Sequence, residues 1–154
     1  MLNFLKIKQK NKQPVKKQDI LLIQCPPWDI EMPPLGIAFL SSFLRKHGYQ
    51  VSLLDLNIGL FNLAKEDSRY LWEQKSYDWW VLDELFKQTW GRIEGLVLKC
   101  LKNRSRDLDA DFIGISVNFA GIKFANQLIG MIKKLNLTTK LFSIPADDLK
   151  RIIF

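Results

Sequence analysis

A strand, a helix and a second strand follow one another within residues 19–55, and this order leaves few folds open. Asp19–Gln24 is a short apolar run of the kind found in strands buried on both faces. Two consecutive prolines end it, because proline cannot donate a backbone hydrogen bond. A helix over about Leu35–His47 and a strand over Val51–Asp55 complete a βαβ unit, whose two strands are parallel and joined by a right-handed crossover.

The helix of this unit is predicted from its ends as well as its apolar residues. Pro34 suits the first turn, where a missing N–H costs nothing, and Gly48 can adopt the left-handed conformation that ends a helix. His47 lies in the last turn, so we expect a solvent-facing or capping residue rather than a catalytic one. The broad apolar face consists of Leu35, Ala38, Phe39, Leu40, Phe43 and Leu44.

The remainder of the chain continues the alternation of strands and helices. Phe112–Val117 is predicted as a third strand, followed by an amphipathic helix over about 122–135. Leu141–Ile144 is predicted as a fourth strand and Asp147–Ile153 as the start of another helix. Residues 18–154 are therefore predicted to form one α/β domain, a Rossmann-like open, mostly parallel sheet of about four strands.

A segment over about residues 58–108, here called the helical insertion, separates the second strand from the third. It is far longer than a single crossover helix requires. Two helices are predicted in it, the first capped by Asp78, and it contains four of the five tryptophans. We expect these aromatic residues to form the core of a small helical unit; a surface that docks a partner stays open as the alternative.

Charge is concentrated at the N-terminus. Six lysines precede the first acid, Asp19, so the net charge of +7 leaves about +1 for the rest of the chain. Residues 1–17 are thus expected to be a solvated, disordered leader, and no nucleic-acid partner is expected. Without a transmembrane stretch or an apolar secretory signal, the expected location is the cytoplasm.

Cofactor motifs of several common classes are absent from the sequence. There is no GxGxxG fingerprint for a dinucleotide and no GxxxxGK[ST] phosphate loop. Cys25 and Cys100 are too few for an iron–sulfur cluster, and His47 is the single histidine. No metal ligands and no catalytic residues are therefore predicted in this chain.

A ligand of an open α/β sheet binds beyond the carboxyl ends of the strands. Pro27–Gly36, after the first strand, leads into a helix N-terminus, and Gly36 lacks a Cβ that would obstruct a ligand. Ser116–Val117–Asn118 lies at the end of the third strand and offers a hydroxyl and an amide. Asp55, which ends the second strand, could accept from a ribose hydroxyl.

Together these segments resemble a known family. The run LLIQCPPWDIEMPPLGIAFLSSFLRKHGYQVSLLDLN, residues 21–57, and ADFIGISVNF, residues 110–119, are similar to the N-terminal cobalamin-binding domain of cobalamin-dependent radical-SAM enzymes. The landmarks are Pro26-Pro27, Pro33–Gly36, His47-Gly48 and Asp55-Leu56-Asn57.

The resemblance implies cobalamin over the strand ends. Pro34, Leu35 and Gly36 would line the corrin side, and Ser116 and Asn118 would face the nucleotide tail. Pro27, Asp55 and Val117 are also expected to bind the cofactor. No histidine in the first loop could ligate cobalt.

The family's four-iron cluster and S-adenosylmethionine belong to a barrel domain with a CxxxCxxC loop, which this chain lacks. A Gly-Gly pair after the fourth strand is also missing. The resemblance therefore implies a truncated or split member, not catalytic alone, whose partner would be a separate radical-SAM barrel. The alternative is a non-catalytic interaction or remnant domain that keeps the fold without binding cobalamin.

Overall fold

The described strands all run parallel in one sheet. The computed structural model describes residues 19–135 and the strand residues 140–142. The strands are β1 (Ile20–Gln24), β2 (Val51–Asp55), β3 (Phe112–Ser116) and the short β4 (Lys140–Phe142), in the order β2-β1-β3-β4. The predicted α/β class and parallel sheet are confirmed. The predicted leader, the last predicted helix and the end of the predicted fourth strand lie outside the described residues.

Strand register determines which side chains share a face of the sheet. Leu22 of β1 lies opposite Leu53 of β2 and Gly114 of β3. The neighbouring row, Ile23, Leu54 and Ile115, points to the other face, because successive side chains alternate along a strand. This second face carries the main hydrophobic core.

Helix α1 (Leu35–Lys46) contacts β1 and β2 on the side of Leu22. Its buried residues are Ile37 and Ser41, one helical turn apart. The prediction that the broad apolar face of this helix packs against the fold is wrong, because Leu35, Phe39, Leu40 and Phe43 are all exposed. The register of α1 on the sheet presents the Ile37 side to the strands and leaves most of the apolar residues outward.

The end of α1 follows the prediction. Gly48 has a φ of +90°, a left-handed conformation that residues with a Cβ rarely adopt. His47 is exposed, and its Nδ1 lies 2.9 Å from the Phe43 carbonyl oxygen. Both residues therefore end the helix, as expected.

The helical insertion is helical but divided differently from the prediction. It contains α2 (Leu56–Leu63), short 3₁₀ turns over Glu66–Trp72 and Gln74–Ser76, α3 (Asp78–Val81) and α4 (Asp83–Asn103). Asp78 begins α3 without a side-chain capping bond, so its predicted capping role is wrong. The helical structure is interrupted at Leu82, whose backbone is extended, and α4 then continues for 21 residues.

The aromatic residues of the insertion form its core, in agreement with the interpretation we favoured. Trp80 is fully buried and Trp72 nearly so. Trp80 meets Trp72 and Phe124 edge-to-face, with ring centroids 5.6 and 6.3 Å apart. Phe124 belongs to α5 (Ile122–Lys134), so these contacts join the insertion to the helix that follows β3. Their burial removes Trp72 and Trp80 from any exposed docking surface.

A last feature concerns membranes. Within residues 19–135, none of the helices combines the length and the apolar character needed to cross a bilayer.

Candidate functional site

Three strands end side by side at the carboxyl edge of the sheet. Asp55 and Ser116 flank Gln24 in register, and the backbone N–H of Cys25 donates to the Ser116 carbonyl at 3.0 Å. Gln24 is buried, and its Nε2 donates to the Cys25 carbonyl oxygen at 3.2 Å. The predicted ligand residues of the three strands are therefore brought to one edge, with Gln24 between them.

Asn118 joins the loop after β3 to the loop after β1. Its Nδ2 donates to the Pro27 carbonyl oxygen at 2.7 Å, and its Oδ1 accepts from the Gly121 N–H at 2.9 Å. Both ends of the amide thus have partners inside the fold. Val117, the residue before it, is half-buried and packs against the core.

Asp55 has a structural partner as well. Its Oδ1 accepts from the Ile58 N–H at 3.0 Å, which caps the N-terminus of α2. Asp55 ends β2, and one of its two carboxylate oxygens is used by the cap of α2. The ribose contact expected of Asp55 stays a prediction.

Asn57 is the polar centre of this region and was not among the predicted site residues. It is buried, and its Oδ1 accepts from the backbone N–H of Trp28 at 3.0 Å and from Trp72 Nε1 at 2.9 Å. Its Nδ2 donates to the Trp28 carbonyl oxygen at 3.0 Å. Asn57 therefore fixes the first loop and the insertion to the end of β2.

Pro34, Leu35 and Gly36 form an open ledge at the N-terminus of α1. The Leu35 side chain is 70% exposed, and an added Cβ at Gly36 would meet no atom within 4 Å. Two further exposed apolar residues, Met32 and Phe119, follow the neighbouring strands β1 and β3. We call Met32, Leu35, Gly36 and Phe119 the apolar ledge; it offers apolar surface and little hydrogen bonding.

A pocket of about 450 Å³ lies between the first loop and the insertion. The first loop contributes Pro27, Trp28, Asp29 and Met32. The insertion contributes Leu71, Trp72, Glu73, Gln74, Tyr77 and Trp80, and Asn118 completes the lining. Of the predicted site residues, Pro27 and Asn118 lie here, while Pro34, Leu35 and Gly36 do not.

In the described part of the chain, no three His, Cys, Asp or Glu side chains come together to hold a metal ion. Cys25 is buried beside the site, and burial raises the pKa of its thiol far above the usual range. The thiol is therefore protonated and a poor ligand or nucleophile.

Cobalamin fits these residues in part. The apolar ledge is exposed, as contact with a corrin face requires, and Gly36 leaves space at the helix terminus. The nucleotide tail finds fewer free groups, because Asn118 and Asp55 are bonded within the fold. Pro34, Leu35 and Gly36 are partly or fully exposed and could be reached by a corrin, whereas each end of the Asn118 amide, predicted to face the tail, already has one partner in the fold.

The residues that sequence reasoning missed are aromatic or internal. Asn57 appeared only as a landmark of the resemblance, and Tyr77 lies in a segment predicted without a site. The hydrogen bonds of Asn57 cannot be predicted from sequence spacing, because its partners Trp28 and Trp72 lie 29 and 15 positions away. The sequence signal for the pocket was the aromatic content of the insertion beside a Pro-Pro-Trp loop.

No protein-family model, no curated protein and no solved structure matches this chain.

Proposed function

We propose that the chain is a corrinoid-binding module of a Rossmann-like type, belonging to or derived from a radical-SAM enzyme. The observation that carries the proposal is the apolar ledge at the carboxyl edge of the parallel sheet, where Leu35 is 70% exposed. Ligands of open α/β sheets bind at this edge. The sequence landmarks of residues 21–57 supply the choice of ligand.

In this function the chain places the cofactor and does not perform the chemistry. Pro34, Leu35 and Gly36 hold one face of the corrin by apolar contact, and Met32 and Phe119 extend that contact. The bound corrinoid supplies methyl-transfer or radical chemistry in concert with a separate barrel domain, which carries the iron–sulfur cluster and S-adenosylmethionine. The role of the protein here is to shield one face of the ring from water.

Equilibrium dialysis against hydroxocobalamin tests the proposal. We expect the full chain to retain cobalamin, measured by its visible absorption, and Leu35→Asp to weaken retention at least about tenfold, because a buried carboxylate at the ledge loses its hydration. Leu82→Asp is the matched control, since Leu82 is 51% exposed but lies in the insertion. Absence of retention by the unchanged chain contradicts the proposal.

A second candidate is a non-catalytic interaction domain. It is favoured by a specific observation: Phe39 and Phe43 of α1 are 76% and 49% exposed on one helix face. The occupant would be the separately encoded barrel chain that bears CxxxCxxC. Co-purification of the two chains that is lost in Phe39→Glu but kept in Leu82→Glu, without cobalamin retention, would favour this candidate over the first.

A further inference from the structure

The pocket between the first loop and the insertion shares Met32 with the apolar ledge but is otherwise lined by different residues. Its volume of about 450 Å³ is in the range of small-molecule sites. Its walls come from two chain segments that Asn57 ties together through Trp28 and Trp72. The pocket is therefore a built feature of the fold, held by bonds of 3.0 and 2.9 Å.

The indole N–H groups of the three tryptophans around the pocket are all bonded within the fold. Trp72 Nε1 donates to Asn57, Trp80 Nε1 donates to the Leu71 carbonyl oxygen at 2.7 Å, and Trp28 Nε1 donates to the Met32 carbonyl oxygen at 3.1 Å. Because Trp80 is fully buried and Trp72 nearly so, a ligand meets chiefly the rings of Trp28 and Tyr77. The faces of aromatic rings carry negative partial charge and attract cations.

The formally charged residues that line the pocket are also negative, like the faces of the aromatic rings. They are Asp29 and Glu73, and neither lysine nor arginine is among the residues that line it. Lys75 pairs with Glu73 at 2.7 Å, but its side chain is 79% exposed, so solvent screens this pair. Asp29 Oδ1 accepts from the Glu31 N–H at 2.9 Å, which fixes the carboxylate in the first loop. An anionic ligand would meet repulsion here.

We propose that this pocket binds an organic cation, a quaternary or protonated amine with a small apolar body. Aromatic rings with bonded N–H groups favour the apolar body and the cation together, and the two carboxylates add attraction at the rim. The inference goes beyond corrinoid binding and does not depend on it: the pocket shares Pro27, Met32 and Asn118 with the proposed corrinoid site, but the aromatic and acidic residues that attract a cation are not corrin-side residues. The two carboxylates disfavour an anion at the same place.

Choline and its neutral carbon isostere, 3,3-dimethylbutan-1-ol, test the role of charge on the full chain. We expect tryptophan fluorescence and indole N–H NMR shifts to titrate with choline, about tenfold more tightly than with the isostere, as cation–π attraction of about 1 kcal/mol or more implies. The affinity for choline should fall as salt is raised. Equal affinities, tighter binding of benzoate, or no response to any probe up to about 10 mM would each overturn the proposal.

Isosteric variants locate the site. Asp29→Asn and Glu73→Gln each keep one acceptor oxygen and remove the charge, and we expect each to weaken choline binding several-fold, whereas the exposed Glu84→Gln on α4 should not. Tyr77→Leu removes a half-exposed ring from the lining and should weaken binding at least about fivefold. Tyr49→Leu, an equally exposed tyrosine beyond α1, is its control. Unchanged affinity in all three pocket variants would contradict the assignment.

Discussion

Asn57 Oδ1 accepts a hydrogen bond from Trp72 Nε1 at 2.9 Å, and this bond fastens the insertion to the end of β2. The same oxygen accepts from the Trp28 N–H, and Asn57 Nδ2 returns a bond to the Trp28 carbonyl oxygen. Three segments that lie far apart in sequence thus share one buried amide. The walls of both candidate ligand sites depend on where this amide holds the first loop.

Replacing Asn57 should therefore be costly. Asn57→Ala leaves the buried Trp72 Nε1–H and the partly buried N–H and carbonyl oxygen of Trp28 without their partner, and we expect the free energy of unfolding to fall by about 2–4 kcal/mol. Urea denaturation followed by circular dichroism measures the change. Asn62→Ala, at an exposed position of the same helix, is the control and should alter stability by less than about 0.5 kcal/mol. A loss below about 1 kcal/mol for Asn57→Ala would show that water replaces these bonds.

Two glycines with different surroundings give a paired prediction. A Cβ at Gly121 would lie 2.7 Å from the Pro26 carbonyl oxygen and 3.0 Å from Val117 Cγ2, so backbone would have to move. We expect Gly121→Ala to lower the free energy of unfolding by about 1–3 kcal/mol. Gly130, within α5, has no neighbour within 4 Å of such a Cβ, and Gly130→Ala should raise stability by up to about 1 kcal/mol. Equal effects of the two variants in thermal denaturation would contradict this reasoning.

The strands were predictable because each is a short apolar run with a clear end. β1 and β2 match their predicted bounds within one residue, and the turn at Gly48 follows from a glycine after a basic helix terminus. These features are local: a few neighbouring residues determine them. The prolines after β1 likewise end the strand wherever the rest of the chain lies.

What was not predictable depends on contacts between distant segments. The apolar residues of α1 predict a buried face, yet Ile37 and Ser41 are the residues that reach the sheet. The packing of Asn57 against Trp28 and Trp72 depends on how the insertion folds back over the strand ends, which hydrophobic periodicity does not encode. The sequence predicts a ligand role for Asp55 but not its capping of the helix that follows it, because that helix was not predicted.

The ion pair between Asp83 and Lys123 predicts a pH dependence of stability. Asp83 begins α4, and its pKa is lowered first by the hydrogen bond from Lys123 and then by the charge of that lysine. A carboxyl with a lowered pKa in the folded state stabilises the protein above its unfolded pKa of about 4, and this stabilisation is lost as pH falls through the lower folded value. We expect Asp83→Asn to flatten the acid side of the stability curve below about pH 5, with a small amplitude because Asp83 is exposed.

Urea melts between about pH 2 and 6 at low salt measure this effect. Glu94→Gln, at an exposed position of the same helix, serves as the control variant. About 1 M salt should reduce the difference between Asp83→Asn and the unchanged protein, because it screens an exposed pair. If the variant Asp83→Asn shows the same dependence of stability on pH as the unchanged protein, the ion pair does not make the expected contribution to stability.

The two thiols should differ in reactivity. Burial raises the pKa of Cys25 far above the usual range, and burial raises the pKa of the half-buried Cys100, with Lys99 opposing that shift. Because the thiolate is the reactive form, we expect iodoacetamide at about pH 8 to modify Cys100 slowly and Cys25 more slowly still. Mass spectrometry of the modified peptides measures both rates, and Cys100→Ser isolates Cys25. Both thiols should react readily in urea, and rapid modification of Cys25 in the folded protein would contradict its burial.

Phe39 and Phe124 provide the sharpest test of which apolar residues form the core. Phe39 is 76% exposed on α1, whereas Phe124 is fully buried against Trp80 and Trp90. We expect Phe39→Ser to change the free energy of unfolding by less than about 0.5 kcal/mol and to raise solubility, since it removes exposed apolar surface. Phe124→Ala should cost about 3–5 kcal/mol, because it leaves a cavity between the insertion and α5. If Phe39→Ser costs more than about 1 kcal/mol in urea denaturation, another part of the folded chain covers this face of α1, and that face is not free to receive a partner.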